Sequence, residues 1–355
     1  DQAGARHRRK LSRMHPPFDV LLIPLVALLG TLAARALAMR HNQLDRPDRR
    51  RLHGIPTPRG GGLGPVLAWL WILAMPTLFA ANVFRAPSAQ GLLVALALVA
   101  SIGALDDRFG LSIRLRLIVH VLAATAVAGS FVGSFDNATS IVAIALLTFA
   151  GVASINLHNF MDGLNGFLSL QALFVLMVLA ILGALRSDVT FTHACLLVGS
   201  ALMVFLPFNF PRARIFLGDI GSGSIGLMIG AMTLVAVDRD LLGWGSAAVL
   251  SSAFVIDAGA TLIVRMRRTR HWHQGHRTHL YQWLWRRRWG VVRINAAYQG
   301  WNLLIVLPVL LGMERFANSL WWEFGATLAV YGLGLCVWHA ARGALRRSHR
   351  AQYRP

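Results

Sequence analysis

Long apolar stretches separated by short polar segments run along the whole chain. Eleven of these stretches approach the roughly 17 to 25 residues that a helix needs to cross a lipid bilayer. The longest connection between them, 265–292, is too short to form a separate soluble domain. The pattern therefore predicts an all-α polytopic membrane protein with about eleven transmembrane helices. The predicted spans are 18–38, 61–82, 90–105, 114–133, 139–157, 165–185, 191–208, 216–237, 244–264, 293–313 and 320–341.

Composition supports a single membrane domain. The chain is 55% hydrophobic and 14% charged, whereas soluble domains average about 25% charged residues. We expect 14–342 to form one transmembrane domain and 343–355 a basic cytoplasmic tail. The segment 1–13 precedes the first methionine and is expected to be a non-native or disordered extension. Cys195 and Cys336 both fall within spans, which argues against a disulfide framework or a cysteine-based metal site.

The arginines are distributed unevenly between the two sides that the spans define. From residue 39 onward, alternate connections place 25 arginines on one side and four on the other. This asymmetry predicts an N-terminus outside and a C-terminus in the cytoplasm. A signal peptide cleaved after Ala36-Leu-Ala38 would invert the distribution, so we do not adopt it. The net charge of +20 is best explained by membrane topology, and binding of anionic lipid or substrate phosphate is the second explanation. We expect no nucleic-acid partner.

The few carboxylates concentrate at the predicted cytoplasmic ends of spans. Only 15 residues are Asp or Glu. Asp106 and Asp107 directly follow one apolar run and Asp162 follows another. Asp219 opens a glycine-rich segment, where a helix N-terminus can hold a cation beside a phosphate. Adjacent carboxylates repel each other unless a cation neutralises them, so this arrangement indicates a divalent metal and a phosphate substrate, although a plain helix-end turn stays open for the Asp106-Asp107 pair.

Two features inside the spans have both a chemical and a structural explanation. The Gly221–Gly226 segment matches G-x-G-x-x-G, but it leads into a membrane helix and no soluble strand precedes it. Helix packing by small residues therefore explains it better than dinucleotide binding. Asp257 lies within a span, where an ionisable group costs several kcal/mol unless it faces a polar interior. An intramembrane function and a structural hydrogen-bonding role both stay open for Asp257.

Two cytoplasmic loops carry further candidate chemistry. The Pro56–Gly62 loop combines rigid and flexible backbone that can bring amides close to a ligand, although an ordinary topological loop also contains arginines and turns. The last large loop contains four histidines, which could suggest zinc, but no cysteine or carboxylate lies near them. Phosphate contact by His276, Arg277 and His279 is the favoured interpretation.

Five motifs in a fixed order together resemble a known family, the polyprenyl-phosphate N-acetylhexosamine-1-phosphate transferases of glycosyltransferase family 4. The resemblance spans about Asp45 to Gln282. It implies a Mg²⁺-dependent reaction, with Mn²⁺ as a substitute ion. A UDP-activated N-acetylhexosamine gives its sugar-1-phosphate to undecaprenyl phosphate and UMP is released. The motifs are the Asp-x-Pro…His…Pro-x-Pro-Arg-x-Gly-Gly loop (Asp45 to Gly62), Asp106-Asp107, Asn159-Phe-Met-Asp162-Gly-x-Asn-Gly166, Phe216-Leu-Gly-Asp219-x-Gly-Ser and His276-Arg-x-His279-x-Tyr281-Gln282.

The same resemblance implies roles for individual residues. Asp219 is expected to bind Mg²⁺ beside the donor diphosphate, and Asp107 and Asp162 are the other expected metal ligands. Asp106 and Asp107 are expected to deprotonate or position the lipid phosphate. The residues expected to bind substrate are Arg51, His53, Arg59, Asn159, Asn165, His276, Arg277 and His279.

Two departures from the family pattern help to identify the branch of the family that the chain resembles. The only lysine is Lys10, so the lysine common in the family's first cytoplasmic loop is absent, and Arg51, His53 or Arg59 must replace it. The last-loop pattern also lacks the consecutive histidines of the muramoyl-pentapeptide transferases. The motifs are most similar to the O-antigen-initiating branch. That similarity implies a UDP-linked 6-deoxy-N-acetylhexosamine, such as N-acetylfucosamine or N-acetylquinovosamine, or else N-acetylglucosamine, as the donor.

The expected location is the bacterial inner membrane, with the active site on its cytoplasmic face and membrane lipid as a further partner. The sequence leaves open whether the protein forms a homodimer. The alternative function is a transporter of a phosphorylated or nucleotide-linked solute. Transporters typically show internal repeats and charged groups near the midplane, whereas this chain shows no repeat and only Asp257 lies deep in a span. We therefore favour the enzyme.

Overall fold

The computed structural model describes residues 16–46, 54–75, 83, 86–270, 277–315 and 320–352, and within them it is almost entirely helical. The first eight helices are α1 (Pro16–Arg40), α2 (Leu63–Ala74), α3 (Ala86–Phe109), α4 (Ile113–Val132), α5 (Ala138–Met161), α6 (Phe167–Leu185), α7 (Val189–Asn209) and α8 (Asp219–Asp238). The remaining elements are α9 (Trp244–Leu250), α10 (Ser252–Arg268), α11 (Leu280–Arg286), α12 (Val291–Trp301), a π-helical segment (Asn302–Val306), α13 (Leu307–Arg315) and α14 (Leu320–Gln352).

The predicted spans correspond to observed helices. Among the described residues, nine helices are long and apolar enough to cross a membrane, with the run from α12 through α13 forming one of them. The bent pair α9–α10 makes a tenth candidate, and the shorter apolar α2 occupies the position of the second predicted span. The all-α polytopic prediction is confirmed. The sidedness of the two termini stays a prediction.

The third span is longer than the hydrophobic run that predicted it. α3 continues past the apolar residues through Asp106 and Asp107 to Phe109. Both carboxylates have partners at the helix end, so the chain can keep its helical conformation beyond the apolar run. The backbone amide of Leu111, for example, donates to Asp106 Oδ1 over 2.6 Å.

α9 and α10 meet at an angle of 77°, where the sequence predicted one span. Ser251 lies between them, and its Oγ donates to the carbonyl oxygens of Ala247 (3.0 Å) and Ala248 (3.2 Å). The Tyr331 hydroxyl, from α14, also donates to the Ala248 carbonyl over 2.9 Å. Side-chain hydroxyls that compete for helix carbonyls are a known cause of bending, and hydropathy alone carries no sign of that competition.

α8 is the central helix of the bundle. It packs against α3 and α5 over much of its length and also contacts α6 and α2. Small residues make these contacts close: a side chain at Gly226 would meet the backbone of Ser154 and Ile155 in α5. Ser154 Oγ also donates to the Gly226 carbonyl over 2.7 Å. The Gly221–Gly226 segment therefore packs helices, as expected from its membrane context.

The loop between α1 and α2 is joined to the start of α8 by backbone hydrogen bonds. Within it, β1 (Leu44–Asp45) pairs antiparallel with β2 (Thr57–Pro58), with Leu44 opposite Pro58. The Pro58 carbonyl then accepts from the Phe216 amide, and the amides of Gly61 and Gly62 donate to the carbonyls of Phe216 and Leu217, each over 2.8 Å. The Pro56–Gly62 motif is thus held beside the segment that leads into Asp219.

Candidate active site

Asp107 joins the end of α3 to the beginning of α8. Its carboxylate accepts from the backbone amides of Asp219 (2.9 Å) and Ile220 (3.2 Å), which are among the amides that a helix N-terminus leaves without intrahelical partners. Gly218, just before the helix, has φ +78° and ψ 170°, a conformation that is largely restricted to glycine. A side chain at Gly218 would also collide with the Asp107 carboxylate. The geometry of this junction therefore requires both residues.

Arg59 brings the Pro56–Gly62 loop into the same cluster. Its Nε lies 3.1 Å from Asp107 Oδ1. Burial lowers the pKa of the Arg59 guanidinium, but the negative charges of nearby carboxylates, those of Asp107 and Asp219 above all, outweigh burial and raise it. Asp162 and Asp106 contribute in the same direction. One guanidinium is therefore within electrostatic reach of all four of these carboxylates.

Arg116, in the first turns of α4, is a site residue that the sequence analysis missed. Its Nη1 lies 2.5 Å from Asp106 Oδ2 and 3.6 Å from Asp219 Oδ2. The side chains of Asp106 and Asp219 are themselves in hydrogen-bonding contact. A signal did exist in the sequence: two arginines, Arg114 and Arg116, start a helix, where the macrodipole disfavours cations. Such an unfavourable position indicates that a nearby anion compensates.

Asn159 orients Asp219 from the end of α5. Its Nδ2 donates to Asp219 Oδ1 over 3.1 Å and to Ser222 Oγ over 2.8 Å. Ser222 lies one turn into α8 and is the last residue of the fourth motif, to which the sequence analysis gave no separate role. Since Asn159 belongs to the third motif and Asp219 to the fourth, these two motifs contact each other directly.

Asp162 caps the C-terminal end of α5 and is part of the same electrostatic cluster. Burial raises the pKa of its carboxyl well above the ordinary value, and the negative charges of Asp219 and Asp107 raise it further. Arg59 opposes this increase. Three segments that are far apart in sequence thus bring four carboxylates into one electrostatic cluster, and these are the four that the sequence analysis singled out.

The fifth motif packs directly on the third. The Tyr281 hydroxyl donates to the Phe160 carbonyl over 3.3 Å, and a side chain at Gly163 would collide with that hydroxyl. The His279 ring stacks against Phe160 with ring centroids 6.5 Å apart. Burial lowers the pKa of His279, with Asp257 opposing the shift, so the imidazole is held in its neutral form. His279 and Tyr281 therefore lie beside the carboxylate cluster.

Asp257 positions this fifth motif. Its carboxylate accepts hydrogen bonds from five donors on four different segments, among them the Leu280 amide at the start of α11 (2.7 Å). Such complete satisfaction is typical of a structural carboxylate buried among helices. The observed contacts therefore favour the structural alternative for Asp257. The other four donors are Tyr281 N (3.4 Å), Thr261 Oγ1 (3.3 Å), Tyr298 Oη (2.7 Å) and Trp338 Nε1 (3.0 Å).

The remaining predicted substrate-binding residues have other positions. Asn165 Nδ2 donates to the Pro211 carbonyl over 3.1 Å, so this side chain holds a neighbouring loop. The Arg277 carbonyl accepts from Arg286 over 2.8 Å, which fixes its backbone at the start of the fifth motif. Arg51, His53 and His276 lie outside the described residues, so their predicted contacts stay predictions.

The cluster offers oxygen ligands suited to Mg²⁺. In the described part of the chain, no three Asp, Glu, His or Cys side chains form a preassembled metal cage. Mg²⁺ usually binds one or two carboxylates together with waters and substrate phosphates, and needs no such cage. The carboxyls of Asp106 and Asp219 interact directly, and Asp219 Oδ2 lies 3.6 Å from Arg116 Nη1. A divalent cation fits this donor set because it would neutralise the repulsion.

Comparison with known proteins agrees with this arrangement of motifs. Residues 89–237 match the family described as Glycosyl transferase family 4. The chain is 30% identical to the decaprenyl-phosphate N-acetylglucosaminephosphotransferase of Mycolicibacterium smegmatis, over 91% of this chain and 87% of that protein. It is 28% identical to the undecaprenyl-phosphate alpha-N-acetylglucosaminyl 1-phosphate transferase of Thermotoga maritima, over 61% of this chain and 65% of that protein. The chain therefore belongs to glycosyl transferase family 4, the polyprenyl-phosphate N-acetylhexosamine-1-phosphate transferases.

Proposed function

We propose that this protein transfers an N-acetylhexosamine-1-phosphate from a UDP-sugar to undecaprenyl phosphate and releases UMP. The observation that carries this proposal is the carboxylate–arginine cluster at one end of a bundle of apolar helices. A lipid phosphate can reach that end from the bilayer and a nucleotide sugar from water. Anionic substrates are drawn by Arg59 and Arg116, and the carboxylates supply oxygen ligands for a cation that binds phosphates.

The reaction exchanges one phosphorus–oxygen bond for another. An oxygen of the lipid phosphate attacks the phosphorus that carries the sugar, and the bond from that phosphorus to the bridging oxygen breaks. UMP leaves with the bridging oxygen, and the products are UMP and a polyprenyl diphosphate sugar. A phosphate monoester has its second pKa near 6, so the nucleophile is already ionised at neutral pH. The protein must therefore mainly position the groups and neutralise charge.

Two carboxylates, those of Asp219 and Asp106, are the proposed Mg²⁺ ligands together with substrate phosphate, because their side chains interact directly. Asp162 lies within electrostatic reach of Asp219 and stays a predicted further ligand. Bound Mg²⁺ would neutralise the negative charge that accumulates on the diphosphate during transfer. Asp107 has both oxygens engaged by the α8 amides and Arg59. We therefore assign Asp107 to positioning Asp219 and not to binding the metal or accepting a proton.

Arg116 and Arg59 are the proposed phosphate-binding cations. Arg116 contacts two carboxylates that would turn to the cation once it binds. Its guanidinium would then be available to a phosphate oxygen, for which the planar fork of arginine is well suited. Arg59 stays paired with Asp107 and lies within electrostatic reach of Asp106 and Asp219. In the family pattern a lysine of the first loop provides positive charge. That lysine is absent here, and Arg59 and Arg116 supply the charge in its place.

Donor recognition is proposed for the Asn159 and His279 segments. Asn159 contacts Asp219, and His279 lies over Phe160, so both are next to the metal-binding carboxylates. Arg277 precedes His279 in the same segment, and the predictions for His276, His53 and Arg51 extend this donor region. The relatives named above act on N-acetylglucosamine, which supports UDP-N-acetylglucosamine as one donor to test. The O-antigen-initiating role with a 6-deoxy sugar remains our prediction from the motifs, as does an active site on the cytoplasmic face of the inner membrane.

The test is UMP release by the purified full-length protein with undecaprenyl phosphate and Mg²⁺. The donor panel contains UDP-linked N-acetylglucosamine, N-acetylfucosamine, N-acetylquinovosamine and muramoyl-pentapeptide. We expect release that requires lipid phosphate and Mg²⁺ together, with one donor strongly preferred. Asp136→Asn is a suitable control, since Asp136 is exposed between α4 and α5. Solute flux in vesicles without UMP release from any donor would refute the transferase and favour the transporter.

A further inference from the structure

A second cluster of arginines lies where α10, α11 and α14 meet. α10 ends at Arg268, and α14 carries Arg342 and Arg346 in its C-terminal half. α11 is fastened to α14 because the Arg287 side chain donates to the Leu345 carbonyl over 2.8 Å. The positive charges of Arg268 and Arg346 both act on Arg342. This cluster is separate from Arg59 and Arg116, and the proposed transfer chemistry does not use it.

Arg342 is the unusual member of the cluster because it is buried and no acidic side chain contacts it directly in the described part of the chain, although the negative charge of Asp257 acts on it. Only 5% of Arg342 is exposed. Its Nε has no hydrogen-bond acceptor, and no carboxylate forms an ion pair with its guanidinium among the residues that the structure describes. Its contact is with the Trp338 ring, whose centroid lies 4.6 Å from the guanidinium carbon. A buried guanidinium without a directly contacting anion is energetically unfavourable, and Asp257 is already engaged by five other donors. The position therefore indicates an anion that completes it.

The surroundings of Arg342 match the headgroup region of a bilayer. α14 is an apolar span that ends in arginines, so Arg342 lies near the boundary between its apolar part and water. Trp283 of α11 has the guanidinium groups of Arg286 and Arg346 near its ring, at 4.9 and 5.8 Å from the centroid. Tryptophan and arginine together are enriched at membrane interfaces. Anionic lipids are attracted to such basic segments beside a transmembrane helix.

We infer that Arg342, with Arg268 and Arg346, binds the phosphate of an anionic phospholipid headgroup in the membrane leaflet on the active-site side. The phosphodiester supplies an anion in direct contact with Arg342, and the tryptophan rings cover the glycerol and upper acyl region. Because α11 is attached to α14, the bound lipid also stabilises the segment that begins at His279. This site goes beyond the proposed transfer activity and does not depend on it.

The test is native mass spectrometry of the purified full-length protein titrated with phosphatidylglycerol or, in parallel, with phosphatidylcholine. We expect at least one phosphatidylglycerol to bind with clear preference over phosphatidylcholine. Arg342→Gln should weaken the tightest phosphatidylglycerol site about fivefold or more, as expected for one lost arginine near a lipid phosphate. Arg347→Gln is the matched control, since Arg347 is exposed on the same helix, and it should retain that site.

Two further variants test the inference if Arg342→Gln fails to fold. Arg342→Lys keeps the positive charge, and Arg346→Gln removes one from a less buried position. Arg342→Lys should retain preference for phosphatidylglycerol, and Arg346→Gln should weaken it. Equal binding of both lipids by the native protein, or unchanged phosphatidylglycerol affinity in Arg342→Gln, would overturn the inference. Loss of UDP-N-acetylglucosamine binding in Arg342→Gln with unchanged lipid binding would assign the anion to the donor phosphate instead and would overturn it as well.

Discussion

Asp107 and Asp219 are close neighbours in the cluster but have different partners. Asp107 receives two backbone amides and Arg59. Asp219 instead touches the carboxyl of Asp106, with Asn159 and the more distant Arg116 as compensation. We predict that Asp107→Asn lowers both stability and turnover. Asp219→Asn should abolish turnover while leaving stability unchanged or slightly higher.

The expected magnitude for Asp107→Asn follows from its partners. Asparagine keeps the shape and one acceptor oxygen but loses the negative charge. Hydrogen bonds to a charged group contribute about 1.5–3 kcal/mol, and a charge at a partly buried helix N-terminus contributes up to about 2 kcal/mol. Arg59 retains other carboxylates nearby, and burial of the Asp107 carboxylate already disfavours its charge, so both limit the loss. We therefore expect the free energy of unfolding to fall by about 1–2 kcal/mol.

Asp219→Asn is expected to affect the stability of the fold much less than Asp107→Asn. The substitution removes a negative charge that interacts unfavourably with those of Asp107 and Asp162. The asparagine oxygen can still accept from Asn159, so the lost hydrogen-bond strength is about 1 kcal/mol or less. Relief of repulsion offsets that loss. Turnover fails nonetheless, because a neutral amide is a weaker ligand for Mg²⁺ than a carboxylate.

The assay compares melting temperature and UMP release for both variants in one detergent and lipid mixture. Asp136→Asn controls for the loss of an exposed carboxylate. A melting temperature for Asp107→Asn equal to that of the native protein would refute the positioning role. A fall in the melting temperature of Asp219→Asn as large as that of Asp107→Asn would show that Asp219 is also required by the fold. Near-native turnover in Asp219→Asn would contradict the proposed metal site.

Three further substitutions test other parts of the site. Gly218→Ala should lower the free energy of unfolding by about 1–3 kcal/mol, because the backbone conformation at this position excludes a side chain, and it should reduce UMP release. Gly259→Ala, at an open position on α10, is its control and should change neither melting temperature nor turnover. Arg116→Met should lower kcat/KM for the lipid phosphate at least about tenfold, as expected for a lost charged hydrogen bond, whereas Arg114→Met, at an exposed position two residues earlier, should leave it unchanged. Asp257→Asn should lower the melting temperature and raise the donor KM, since α11 loses its anchor; an unchanged donor KM would argue against coupling between Asp257 and the fifth motif.

Much of the architecture could be predicted because membrane helices are encoded locally. The apolar runs predicted each helical span, since a lipid-exposed backbone must satisfy its own hydrogen bonds. The convergence of Asp106, Asp162 and Asp219 could also be predicted, because alternate loops of a membrane bundle share one side. The carboxylates of the cluster, and their position at one end of the bundle, could therefore be predicted from local sequence.

Features that depend on contacts between distant segments could not be predicted in this way. The bend at Ser251 arises from hydroxyls, one of them from Tyr331, that bind carbonyls of a neighbouring turn. The five donors of Asp257 come from helices whose packing no periodicity reveals. Arg116 was missed because its charge was interpreted as a topological signal, and nothing local distinguishes it from the exposed Arg114.

The distinction between Asp106 and Asp107 shows why the chemistry of a site cannot be assigned from a motif alone. Adjacent residues on a helix point about 100° apart, so only one of the two can face the amides at the start of α8. Asp107 takes that position, and Asp106 is left to face Arg116 and Asp219. A helix N-terminus bound to Asp107 places Asp219 beside Asp106 and Asn159. The pair thus divides into one residue that builds the site and one that is available to the cation, which the comparison of Asp107→Asn with Asp219→Asn measures directly.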